Sequence, residues 1–187
     1  NKLNWLDICW YQQLSEPFIE KYKDKLYWSF ICRNQKLSEP FIEKFQDLVD
    51  WENISQYQKL SEPFIKKFQY KINWHNISRY QQLSESFIEK FQYKVNWYHI
   101  SRYQQLSESF IEKYQNRVNW LSLSTSKSLS ESLIEKYEDK INWDLISEYQ
   151  KLSSPFVKKF YININFNNLC FNNQNINKQN ISDILDY

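Results

Sequence analysis

Apolar residues recur along this chain in a fixed order: a tryptophan, an isoleucine three residues on, a leucine six further, then a Phe-Ile pair and a second aromatic. The order restarts every 23 residues. Trp5, Trp28, Trp51, Trp74, Trp97, Trp120 and Trp143 follow one another at that spacing without an insertion, and Phe166 holds the next place in step. With each Trp as position 0, the unit reads W-x-x-I-S-x-Y-Q-x-L-S-E-P-F-I-E-K-F-Q-x-K-V-N. A period between about 20 and 50 residues marks stacked repeat architectures.

Each unit predicts two short helices. In Leu60-Ser61-Glu62-Pro63-Phe64-Ile65, Ser61 can cap the orphan N–H groups of the second helix, and Pro63 sits in its first turn, where a missing donor costs little. Leu60 and Ile65 occupy the two places of a hydrophobic staple. The first helix repeats the device: Asp50 or Asn73 is the cap, and Val49 with Ile54, or Ile72 with Ile77, is the staple. Trp51, Ile54 and Tyr57 fall at i, i+3, i+6 and predict the apolar stripe of the first helix; Phe64, Ile65 and Phe68 predict that of the second.

Two helices of about two turns do not bury enough to offset nucleation and lost conformational entropy, so the units must stack. The expected fold is an all-α solenoid of about seven helix–turn–helix repeats over residues 1–166, followed by an Asn-rich capping segment over 167–187. Ile181, Ile184 and Leu185 give that segment a helical pattern of its own. The expected structural spine is the Trp column: Trp28, Trp51, Trp74, Trp97, Trp120 and Trp143, sealed between layers. The sixth unit departs from the rule, reading Leu121-Ser122-Leu123-Ser124-Thr125-Ser126-Lys127 without the usual Tyr and Gln. The chain begins inside a unit and without Met, which reads as one segment of a longer array.

Composition narrows the chemistry. Gly, Ala and Met are absent, so phosphate-cradling loops, dinucleotide fingerprints and nucleophile elbows are excluded. The formal charge of +2, from 24 basic and 22 acidic residues, argues against a dedicated polyanion binder. No apolar run approaches the roughly 20 residues that span a bilayer.

Cys9, Cys32 and Cys170 all stand at position 4, where other units carry Ser55, Ser78, Ser101, Ser124 and Ser147, so the cysteines read as small packing residues. His75 and His99 read as solvated residues at helix starts, and with two histidines no metal site assembles easily. Glu and Lys at positions 15 and 16 form charged ladders of weak ion pairs rather than catalytic pairs. Gln12, Gln35, Gln58, Gln81, Gln104 and Gln150 at position 7 make a column, read either as a hydrogen-bond ladder between units or as a surface shown to an extended ligand. Neither catalysis, a cofactor nor a metal is expected.

Positions 1 and 5 lie four residues apart, hence on one helix face, and change in every unit. The pairs are Leu6/Trp10, Ser29/Arg33, Glu52/Gln56, His75/Arg79, Tyr98/Arg102, Leu121/Thr125 and Asp144/Glu148. A constant frame with one variable stripe suits recognition, and Arg, Tyr and Trp are the residues that dominate binding surfaces. His75, Arg79, Tyr98 and Arg102, flanked by Arg33 and Gln56, are the candidate partner-binding residues; drift at exposed positions would give the same pattern.

The unit typified by Lys59-Leu60-Ser61-Glu62-Pro63-Phe64-Ile65 and Lys71-Ile72-Asn73-Trp74 resembles the short aromatic-rich helical repeats of Mimivirus-like giant DNA viruses of amoebae and of some phages, over about residues 1–166. That resemblance implies a viral interaction protein in the cytoplasm of an infected host cell or in the virion, and it brings no catalytic residues. The expected function is a protein–protein interaction scaffold with a host or viral partner. Single-stranded nucleic-acid binding and a purely structural virion role are the alternatives.

Overall fold

The structure is a computed structural model that describes residues 3–126 and 129–172, with side chains as far as 169. The Ile181–Leu185 pattern and most of the Asn-rich segment lie outside the described residues. The chain divides into two compact units, residues 1–96 and 97–187. Among the described residues there are fifteen helices and no strand, an all-α repeat array as the period predicts.

In the first unit the first helices of successive repeats are α1 (Trp5–Tyr11), α3 (Trp28–Asn34), α5 (Trp51–Tyr57) and α7 (Trp74–Tyr80). Alternating with them are α2 (Glu16–Lys21), α4 (Glu39–Lys44), α6 (Glu62–Lys67) and α8 (Glu85–Lys90). The second unit repeats the scheme with α9 (Trp97–Tyr103), α11 (Trp120–Ser124), α13 (Trp143–Tyr149) and α15 (Phe166–Asn172) alternating with α10 (Glu108–Lys113), α12 (Glu131–Lys136) and α14 (Ser154–Lys159). Within each unit the first helices of successive repeats pack in order.

The caps are those the sequence specifies. Asp50 Oδ1 accepts from the N–H groups of Glu52 and Asn53 at 3.0 and 3.1 Å, and Ser61 Oγ accepts from Phe64 N–H at 3.3 Å. The second repeat is preceded by Tyr27 at the cap, and its first helix starts without a side-chain cap bond. No described residue has positive φ, so every turn between helices is built from conformations open to ordinary residues. A chain without glycine can therefore form all of them.

The sealed spine is isoleucine rather than tryptophan. In the first unit Ile19, Ile31, Ile42, Ile54, Ile65, Ile77 and Ile88 are fully buried, at positions 3 and 14 of their repeats. Their spacing alternates between 11 and 12, which makes the two helices of each repeat equivalent layers of one core. The indoles are half-buried and cover their own repeat. Trp51 stacks on Phe64 at 6.3 Å and tilts against Phe68 at 4.9 Å, while its Nε1–H donates to Gln46 O at 2.9 Å. Trp28, Trp51, Trp74 and Trp120 close the turn that leads into them in this way, the indole N–H donating to the carbonyl five residues back.

Tyr57, expected on the apolar stripe, is 41% exposed, as are its equivalents Tyr80 (43%), Tyr103 (45%) and Tyr149 (42%). The buried side of the first helix is made instead by Ile54, Ser55 and Gln58. Spacing alone misplaces the Tyr, because the polar Ser and Gln are buried through hydrogen bonds that a hydrophobicity pattern does not register.

Candidate functional site

Three polar devices lock one repeat to the next, and all use side chains that barely vary. The first is the position-7 glutamine. Gln58 Nε2 donates to Gln35 O and Cys32 O, both at 2.7 Å, while its Oε1 accepts from Leu37 N–H at 3.0 Å. Gln81 does the same for the next repeat, with Gln58 O, Ser55 O and Leu60 N. The column is therefore a ladder between repeats; Gln35, Gln58, Gln81, Gln104 and Gln150 are buried and not displayed to a ligand.

Position 4 is the second device. Ser55 Oγ donates to Trp51 O at 2.6 Å and accepts from Asn73 N–H at 2.9 Å, so one hydroxyl ties a helix to the following repeat. Cys9 and Cys32 take the accepting half of that role: Tyr27 N–H lies 3.5 Å from Cys9 Sγ and Asp50 N–H 3.3 Å from Cys32 Sγ. Both thiols are buried and free, and burial pushes Cys32 up to about 12, with Asp50 adding to the shift and its backbone N–H opposing it. The sequence marks these cysteines as packing residues; their acceptor role is legible only from the Ser that replaces them elsewhere.

Carboxylates supply the third. Glu39 accepts from Ser61 N–H at 2.5 Å and Ser61 Oγ–H at 3.0 Å, one repeat on. Glu43 pairs with Lys67 at 2.5 Å and Glu20 with Lys44 at 2.5 Å, forming the predicted charged ladder. These carboxylates hold the frame, and among the described residues no three His, Cys, Asp or Glu side chains gather to hold a metal ion. No described helix is long and apolar enough to cross a membrane.

The variable stripe stands outside all three devices. In the first unit Ser29, Arg33, Glu52, His75 and Arg79 are exposed and Gln56 is half-buried. In the second, Tyr98, Arg102, Leu121 and Asp144 are exposed, with Thr125 and Glu148 half-buried. Arg33 lies between aromatic rings of the repeats on either side, 5.8 Å from Trp10 and 5.2 Å from Tyr57. Arg79 covers Tyr80 at 5.0 Å and Arg102 covers Tyr103 at 5.8 Å. The exposed position-6 tyrosines thus join the stripe, an extension that the fixed identity of the Tyr concealed in the sequence. Of the candidate residues, His75 and Arg79 belong to one compact unit and Tyr98 and Arg102 to the other.

One histidine departs from expectation. His75 is exposed, but His99 is buried, its ring 5.7 Å from Tyr103 and 5.3 Å from Tyr98. The two lie one position apart in their repeats, and position 2 turns toward the neighbouring repeat, where Asn76 Nδ2 donates to Glu52 O at 3.3 Å. Set against family models, curated proteins and solved structures, the chain has no match.

Proposed function

We propose that this chain is a non-enzymatic protein-interaction scaffold that engages its partner along the stripe formed by positions 1, 5 and 6. One observation carries the reading. The position-1 and position-5 side chains, which differ from repeat to repeat, are exposed or half-buried and take no part in the locks between repeats, whereas the Ile, Ser, Gln and Glu that join repeats are held nearly constant. The stripe is rich in Arg and Tyr, residue types that dominate binding hot spots, and Tyr buries large area at modest entropic cost. The resemblance to repeats of amoebal giant viruses points to a host or viral protein as the partner, in infected cytoplasm or in the virion.

The test is capture from amoebal lysate by three versions of the chain: unaltered; with Arg33, Arg79, Tyr98 and Arg102 replaced by Ala; and with the exposed Lys36, Lys59 and Lys151 replaced by Ala. The reading predicts one protein, identified by mass spectrometry, that survives nuclease treatment, is kept by the lysine variant and is lost by the stripe variant. Retention that ends on nuclease treatment or falls steeply with salt assigns the stripe to nucleic acid instead. Equal loss in both variants rejects the stripe.

A further inference from the structure

The sixth repeat breaks the stripe in a way that makes a groove. Its first helix, α11, has five residues where its neighbours have seven, because Ser126 and Lys127 replace the Tyr-Gln pair that ends the others. Gln150 follows this shortening: its Nε2 donates to Ser124 O at 3.3 Å and to Ser126 O. With no Tyr at position 6, the space between the edges of α9 and α13 is left as a groove of about 470 Å³ lying wholly within the second compact unit.

The lining is specific. Tyr98 and Arg102 form one wall, Asp144 and Tyr149 the other, and Leu121 and Leu145 contribute the apolar floor. Leu121 is 54% exposed, unusual for a leucine beside buried Leu123. Arg102 makes no ion pair among the described residues, although it faces the far wall closely enough to act on Tyr149. Asp144 Oδ1 accepts from Asn165 Nδ2 at 2.7 Å, which leaves Oδ2 unused among the described contacts. Ser122, which also lines the groove, keeps a buried hydroxyl with no partner among the described residues. Glu148 accepts from the Tyr149 phenol and raises it above the usual tyrosine range, adding negative charge to the same wall.

We infer that this groove binds a short extended peptide with an acidic side chain against Arg102, one apolar side chain turned down onto Leu121 and Leu145, and a basic side chain against Asp144. The inference rests on the interaction-scaffold reading and specifies the chemistry of its partner at one place. Charge complementarity selects the occupant: the walls carry opposite signs across an apolar floor, which suits a dipolar segment better than a uniformly charged polymer. Two inter-helix steps of about 8–10 Å, less the side chains reaching in from both walls, leave a span on the order of 10 Å. An extended peptide covers that span between residues i and i+3, at about 3.3 Å per residue.

The probe is acetyl-Glu-Leu-Leu-Lys-amide, titrated into the full chain by NMR, alongside peptides with Gln in place of the Glu or of the Lys. The expected result is that each Gln peptide binds about threefold to fivefold more weakly. Arg102→Gln should erase the penalty for losing the Glu and keep that for losing the Lys; Asp144→Asn should do the reverse. Both side chains are exposed, so helical circular dichroism should be unchanged in the variants. No binding, or penalties that neither variant alters, overturns the groove. A failed titration alongside successful stripe-dependent capture removes this inference alone, whereas loss of capture removes the scaffold reading beneath it.

Discussion

Gln58 grips the main chain at Gln35 from the next repeat, donating its carboxamide to the Gln35 carbonyl at 2.7 Å while accepting from the N–H two residues further on at 3.0 Å. The contact is buried, and without it two carbonyls and one N–H would be stranded away from water. Gln58→Leu should destabilise the chain by at least about 3 kcal/mol, since three buried groups lose their partner and each costs on the order of 1–3 kcal/mol. Gln58→Glu should be no better, because the substituted oxygen faces carbonyl oxygens. Urea unfolding followed by circular dichroism measures both, with the exposed Gln82→Glu as a neutral control.

A second prediction separates spine from cover. Ile77 is fully buried, and Ile77→Ala should cost about 2–5 kcal/mol with Ile77→Val nearer 0.5–1.5. Trp74 rests on Phe87 and Phe91 of its own repeat, so Trp74→Phe, which keeps a ring but loses the N–H bond to Gln69 O, should cost less than Ile77→Ala. Comparable losses for the two would return the indoles to the role of spine.

Cys32 gives a third. A thiol raised to about 12 from an ordinary value near 9 is un-ionised in the folded chain where the unfolded chain has begun to ionise. Its stabilising contribution is complete below about pH 9 and is lost as pH climbs toward 12. Alkylation at pH 8 should therefore track unfolding rather than precede it. Cys32→Ser installs the residue used at this position by most other repeats; it should leave stability unchanged or raise it, and should flatten the alkaline fall.

The charged ladder is inverted at the third repeat. At the place of Glu20 and Glu43 the third repeat carries Lys66, opposite Lys90 of the next. Lys66 lowers the Lys90 ammonium below the usual lysine range through a direct contact and charge repulsion. A lysine lowered in the folded chain is destabilising while charged, and the penalty lifts as pH rises through the depressed value. Lys66→Glu should restore the rung, raise the unfolding midpoint at neutral pH and low salt, and lose that advantage as salt is added. Titration of the Lys90 side chain by NMR should show its return to the ordinary range.

The period, the helix pairs, their caps and the charged ladder were legible in the chain, because caps and staples are local and the 23-residue repeat has no insertions. The glutamine ladder was legible as one of two readings. What misled was burial. Trp and Tyr, the largest apolar residues, mark the unit most visibly, yet the sealed positions belong to Ile54 and Ile65 and to the small polar Ser55. The branched isoleucines are sealed completely and Phe64 and Phe68 are buried beside them, whereas the indoles are half-buried and the position-6 tyrosines lie in solvent. His99 was misplaced by a single position, and on a helix of seven residues that is the difference between solvent and interface. The groove over α11 needed both the missing Tyr and the orientation of its neighbours, and only the first is written in the sequence.

The most direct test of the stripe as a binding surface is site-specific photo-crosslinking. Benzoylphenylalanine in place of Tyr98 on the stripe, and separately in place of Tyr70, which is 87% exposed in the turn after α6, compares two aromatic positions that differ in face. The scaffold account predicts one discrete protein adduct from position 98, insensitive to nuclease, and none from position 70. Identical adduct patterns from the two positions, or an adduct at 98 that nuclease removes, would contradict it.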